Sequence, residues 1–230
     1  MSTVTLVHAV LPALAPVQHA IAEAMPEVRI RHLLDEGLSS EADRRGGVDR
    51  ACVERMLTIL GLAVAAETDA VLLSCTAYST MLPEARIRFP STPLYAIDAV
   101  MVERAVARAA RIGVLATFPA GLAQQQEMLT SEAAARGKSI EIVPSLHPSA
   151  MEALRRGDTD EHDRIIIAAL PALAETTDVV LLAQASMARV FDKLPAVYRD
   201  RVLSSPRLAA EALRETLRSR SRVDEHGVPS

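Results

Sequence analysis

Cys75 closes the apolar run Asp69-Ala-Val-Leu-Leu-Ser-Cys75 and opens Thr76-Ala-Tyr78-Ser79-Thr80. Small hydroxylated residues after a strand suit a tight turn into a helix. A thiol there meets unpaired backbone amides and the positive end of a helix dipole, which push it toward thiolate. Those amides, with the hydroxyls of Thr76 and Ser79, suit a substrate carboxylate or a developing enolate. The competing reading is a small apolar cysteine buried at a strand end. His8 ends a second apolar run and offers an imidazole that titrates near neutral pH, although a lone strand-end histidine more often makes a structural hydrogen bond. Asp98, in Tyr95-Ala-Ile-Asp98-Ala, either orients a partner or caps the helix that follows, and capping is the better reading. Tyr78 either lies against a substrate or packs under the helix, and His147 reads as an exposed loop histidine.

Other chemistries fail on spacing or composition. None of the six histidines pairs with another at i, i+4, and Cys52 and Cys75 lie too far apart for a local metal loop, so no metal is expected. Arg45-Gly-Gly-Val48 follows no apolar strand and is not a phosphate loop. Aromatic residues make up 3% of the chain, Trp is absent and the net charge is -4, which removes the stacking platforms and the basic field of a nucleic-acid binder. Apolar runs fall well short of the roughly 20 residues a membrane span needs. Met1-Ser-Thr-Val-Thr-Leu-Val-His8 lacks the basic head and long apolar stretch of a signal peptide, so a cytoplasmic protein with free thiols is expected.

The elements that must position these residues alternate. Short apolar runs at 4–7, 28–33, 70–73, 94–97, 112–116, 140–143, 179–182 and, weakly, 201–203 read as strands. Stretches at 14–25, 48–67, 100–110, 121–136, 161–175 and 207–220 read as helices. That pattern predicts an α/β fold with mostly parallel sheets. Cys52 falls inside a helix as a packing residue. The run Glu41 to Gly47 reads as a solvated loop that forms a lip over a cleft, and the polar tail after Arg220 as frayed.

Eight strands read as two copies of four. Asp69-Ala-Val-Leu-Leu-Ser-Cys75 and Asp178-Val-Val-Leu-Leu-Ala-Gln184 match at an offset of 109 residues. The same offset places His8 on Thr117 and Leu94 on Leu203, a single ungapped register. Two similar α/β lobes follow, with four-stranded sheets related by a pseudo-twofold: residues 1–98 with 206–230, and residues 99–205. Ligands of open α/β sheets gather outside the carboxyl ends of the strands. His8, Cys75 and Asp98 would then face Thr117, Gln184 and Ser204 or Ser205 across an active-site cleft.

Leu72-Leu-Ser-Cys-Thr-Ala-Tyr-Ser-Thr80, the internal repeat and Gly113-Val-Leu-Ala-Thr117 together resemble the aspartate/glutamate/hydantoin racemase superfamily over nearly the whole chain. The resemblance implies a cofactor-independent isomerase in which two cysteines, one at each equivalent strand end, exchange a proton on opposite faces of a substrate carbon. Cys75 falls on the first cysteine. Ala183-Gln184-Ala185-Ser186-Met187-Ala188 is similar to the second motif, but Gln184 stands where its cysteine belongs. The resemblance assigns substrate binding to Thr76, Ser79, Thr117, Ser186 and the first-strand residue His8, with Tyr78 and Ala185 beside them.

An amide neither gives nor takes a proton usefully near pH 7, so symmetric two-base racemisation cannot run between Cys75 and Gln184. The expectation is one-face chemistry by Cys75, as proton transfer or as nucleophilic attack, on a small carboxylate or hydantoin-like substrate, with Gln184 donating through its amide. The alternatives are a decarboxylase resembling arylmalonate decarboxylase and a ligand-binding descendant without catalysis. His8 as the opposite base fits poorly, because His8 and Cys75 share a lobe. The resemblance and the Ala-rich helix at 100–110 suit a homodimer, although such a face packs as readily inside a monomer.

Overall fold

The structure is a computed structural model that describes residues 2–226. Each half of the chain builds a four-stranded, fully parallel sheet. Strands β1 (Thr3–His8), β2 (Arg29–Leu34), β3 (Ala70–Leu73) and β4 (Leu94–Ala96) lie in the order β2-β1-β3-β4. Strands β5 (Arg111–Ala116), β6 (Glu141–Leu146), β7 (Val179–Leu182) and β8 (Val202–Ser204) lie in the order β6-β5-β7-β8. The expected α/β class and all eight strands are present. Inner strands covered on both faces read as unbroken Val and Leu runs, whereas the outer strands β2 and β6 carry Arg31, His32 and Ser145 and stay half-buried.

Helices supply the crossovers that parallel pairs require. Helices α1 (Leu14–Ala24), α2 (Gly37–Arg45), α3 (Arg50–Ala65), α4 (Leu82–Arg88) and α5 (Ala99–Arg108) belong to the first half of the chain. Helices α6 (Pro119–Ala135), α7 (Pro148–Arg155), α8 (Thr159–Thr176), α9 (Ala196–Arg199) and α10 (Ser205–His226) follow. Asp49 caps α3 by accepting from the Cys52 amide at 3.0 Å, and Cys52 packs in the core as expected.

Two helices tie the halves together. After β4, α5 carries Met101, Val102, Ala105 and Val106 into the core around β5 and β7. After β8, α10 returns Ala209, Ala210 and Leu213 to the core around β1 and α1. The Ala-rich face of α5 is therefore spent inside the chain.

Three expectations need correction. Glu41 to Arg45 is the end of helix α2 and not a loop, because Leu38 is fully buried and Glu41 ties Arg45 and Arg55. The backbone after Arg220 continues as α10 to His226, and the last four residues of the tail lie outside the described residues. The repeat is also not ungapped. Val4 pairs with Ala70 and Ile112 with Val179, while Val71 pairs with Leu94 and Val180 with Val202. The second half has one residue more between its first and third strands and one fewer between its third and fourth. His8 therefore matches Ala116, and Leu94 matches Val202, while Cys75 still matches Gln184.

Candidate active site

Strands β3 and β7 end in the same way. The Ser74 amide donates to Val7 O and the Ala183 amide to Leu115 O, both at 2.9 Å. Cys75 and Gln184 come next, each with extended backbone, and each precedes a 3-10 turn, Thr76–Met81 or Ala185–Lys193. The halves then interlock: α6 packs on the first turn and α1 on the second. Thr76 Oγ1 lies 3.5 Å from Ala183 O, a long contact between the two halves.

Cys75 is half-buried, and burial pushes its thiol up to about 11. The Ala77 amide, directed at the sulfur, works against that rise; the Asp98 carboxylate adds to it, and the Tyr78 amide opposes it. Desolvation thus outweighs the local amides, and the residue is a protonated thiol at neutral pH. This overturns the thiolate expected from the turn alone.

Gln184 is buried and its amide is fixed. Its Oε1 accepts from the Thr117 amide at 2.9 Å and from Thr117 Oγ1 at 3.1 Å, which leaves Nε2 without a partner. Gly121, at the start of α6, makes room for it. A Cβ on that glycine would stand 2.5 Å from Gln184 Nε2 and 2.8 Å from the Phe118 ring. The Thr117 hydroxyl, expected to hold substrate, is instead committed to orienting Gln184. The turn behind Gln184 is anchored by buried Asp163 of α8, which meets Arg189 Nε at 2.9 Å, Lys193 and His162. Burial works against that carboxylate, but Lys193, His162 and Arg189 hold it below the usual range.

His8 is fully buried with both ring nitrogens engaged, Nδ1 with Ser74 Oγ at 2.7 Å and Nε2 with His32 Nδ1 at 3.1 Å. Burial first, and His32 second, lower its pKa to about 4. A neutral imidazole with both nitrogens occupied is not the opposite base of a racemase. Tyr78 also departs from a substrate role: its ring lies in the core with Cys52, and its hydroxyl donates to Leu38 O at 3.1 Å. Ser186 is buried on the second turn, and Ala185 packs into the core of the first half. His147 is half-buried beside Ser145 Oγ at 2.8 Å, away from the expected exposed position.

Asp98 precedes α5 but makes no capping bond, which overturns the capping expectation. It is fully buried, and neither carboxylate oxygen has a hydrogen-bond partner of normal geometry. Thr76, Ser205, Gln125 and Ser79 face it, the last three with unpaired polar atoms of their own. Burial raises its pKa to about 6 against the pull of those four groups. Gln125 escaped the sequence reading, yet it carries a signal: it lies in the i, i+4 stripe Gly121, Gln125, Leu129, Ala133 that forms the buried face of α6.

Among the described residues no group of three or more His, Cys, Asp or Glu could hold a metal ion, and no helix is long and apolar enough to cross a membrane.

Two parallel α/β sheets of the same order, with equivalent strand ends converging where the halves meet, define the class of pseudo-symmetric two-lobed α/β proteins. Within that class the chain belongs to the Asp/Glu/hydantoin racemase family, whose family model matches residues 4–213. Similar solved structures include an aspartate racemase of Picrophilus torridus, at 14% identity and TM-score 0.70, covering 94% of each chain. A glutamate racemase of Bacillus anthracis is 16% identical with TM-score 0.66, covering 95% of this chain and 82% of that one. An allantoin racemase of Klebsiella pneumoniae is 16% identical with TM-score 0.65, covering 96% and 89%. No curated protein sequence matches the chain.

Proposed function

We propose that this racemase-family protein is an enzyme that acts on one face of a small carboxylate or hydantoin-like substrate with a single thiol, Cys75. The observation that carries this reading is Gln184, which occupies the structural equivalent of Cys75 and keeps only Nε2 free to donate. The minor Cys75 thiolate takes the substrate proton, forming S–H while the C–H electron pair becomes the enolate. After that proton has exchanged with solvent, the S–H bond breaks as a C–H bond re-forms on the same face. The thiolate left behind is held by the Ala77 and Tyr78 amides until solvent returns its proton. Thr76, Ser79 and Gln184 Nε2 supply donors to the enolate oxygens.

A thiol that stays protonated at neutral pH favours giving a proton over taking one, which supports a second reading, decarboxylation. There the C–C bond to a departing carboxylate breaks, its electron pair forms the enediolate as CO2 leaves, and Cys75 protonates the carbon.

Solvent deuterium incorporation into amino acids, hydantoins and substituted malonates tests both readings, with Cys75→Ser in parallel. We expect incorporation of a single stereochemistry, lost by a factor of about 100 or more in Cys75→Ser. Full racemisation by the wild type overturns the one-face reading. No turnover anywhere in the panel, with ligand binding unchanged in Cys75→Ser, points instead to a binding protein.

A further inference from the structure

Asp98 is unusual for a fully buried carboxylate, because no cation, amide or hydroxyl closes a hydrogen bond of normal geometry on either oxygen. The groups around it come from separate elements: Thr76 and Ser79 from the turn that carries Cys75, Gln125 from α6, and Ser205 from the start of α10. Ser79 Oγ, Ser205 Oγ and both ends of the Gln125 amide are themselves buried without partners. A buried polar cluster left this open is costly unless it performs a task, since each unsatisfied group costs about 1–3 kcal/mol. Ala96 pairs with Leu73 and the Ile97 amide donates to Leu73 O at 3.0 Å, so Asp98 and Cys75 each lie two residues beyond that pair on neighbouring strand ends. Charge on Asp98 there opposes ionisation of the thiol.

We propose that Asp98 is a positioning residue that faces Cys75 from the neighbouring strand end and damps its reactivity as a nucleophile. An ionised carboxylate beside a thiol disfavours a second negative charge, which adds to the burial that already keeps Cys75 protonated. Tyr78 is the other titratable group acting on Cys75 from its own turn, and its phenol is neutral over the same range. The hydroxyls of Thr76 and Ser79 and the amide of Gln125 complete the surroundings of the carboxylate. Asp98 thereby links the ionisation of one strand end of the first sheet to α6 and α10. This role rests on Cys75 being the reactive group, but it concerns the ionisation of the thiol and is readable without any substrate.

The test is the rate of Cys75 alkylation by iodoacetamide in the full chain from pH 5 to 9, with peptide-resolved mass spectrometry separating Cys75 from buried Cys52. In Asp98→Asn we expect alkylation at pH 8 to rise about tenfold, the equivalent of one pKa unit. Folding of the variant is checked by circular dichroism. An unchanged rate in the folded variant overturns the proposal. If Asp98→Asn does not fold, the wild type alone decides the question. Going down in pH, its log rate should fall with unit slope to about pH 7, flatten between about pH 7 and 6 while Asp98 takes up its proton, and resume unit slope below about pH 6 on a line roughly one log unit higher. A single straight line across the whole range overturns the proposal. Turnover enters neither readout, so failure here and failure of the proposed enzymatic role are distinguishable.

Discussion

Gln184 stands in the second half of the chain where Cys75 stands in the first. The Tyr78 amide donates to Cys75 O at 3.1 Å and the Met187 amide to Gln184 O at 3.0 Å, so the two residues open the same turn on equivalent strands. The scaffold is nearly symmetric at this point and the side chains are not.

Replacing Gln184 with Cys restores a thiol at both strand ends. We expect Gln184→Cys to gain racemisation of an enantiopure substrate, at least tenfold above the wild type, followed by polarimetry. A variant that stays stereospecific while Cys75 remains reactive would show that the second turn cannot present a side chain to the substrate carbon.

Gly121→Ala places a methyl group 2.5 Å from Gln184 Nε2 and 2.8 Å from Phe118. Both side chains must move, and overpacking of this kind costs about 1–3 kcal/mol. We expect a lower melting temperature and a larger loss of turnover than of stability, because Gln184 loses its seat beside Thr117. Thermal melts and kinetics on one preparation compare the two.

His8 has a folded pKa of about 4, below its ordinary 6.5. As pH falls through that window the unfolded chain takes up a proton that the folded chain refuses, so stability drops. The loss is about 3 kcal/mol at its fullest. Urea denaturation at pH 7.5 and 4 should show wild type losing ground to His8→Asn by roughly that amount. Parallel curves at both pH values would mean that the imidazole is hydrated in the folded state.

Asp98 works with the opposite sign. Its folded pKa of about 6 lies above its ordinary 3.8, so the folded chain holds the proton more tightly. Its contribution is full at low pH and is lost as pH rises from about 3.8 to 6. Asp98→Asn should therefore gain on the wild type by about 2–3 kcal/mol between pH 4 and 7.5. The His8 and Asp98 windows overlap and oppose each other. The contributions of these two groups therefore nearly cancel in the wild type between pH 4 and 6, and only the two variants unmask the separate slopes.

Much of this architecture is legible because it rests on local pattern. Strands β3 and β7 are short Val and Leu runs because both faces are covered, and Asp69 and Asp178 mark them as copies. The turn after Cys75 follows from small hydroxylated residues next to it in sequence. The one-residue slip between the halves is hidden, because it arises in connections whose lengths differ by one residue in each direction and cancel. Helix α2 is hidden as well, since its charged sequence is stabilised by Arg55 of α3 and by Leu38 beneath it.

By itself, the sequence determined two related parallel sheets and placed Cys75 and Gln184 at equivalent strand ends. Only the tertiary structure decided the protonation states. Cys75 is neutral despite its amides, His8 is neutral beside Ser74 and His32, and Asp98 faces the thiol instead of capping α5. Local sequence sets dipoles and hydrogen-bond partners within a turn. Desolvation depends on which distant elements close over a group, and here α6 and α10 close over the first sheet, so burial outweighs the dipole.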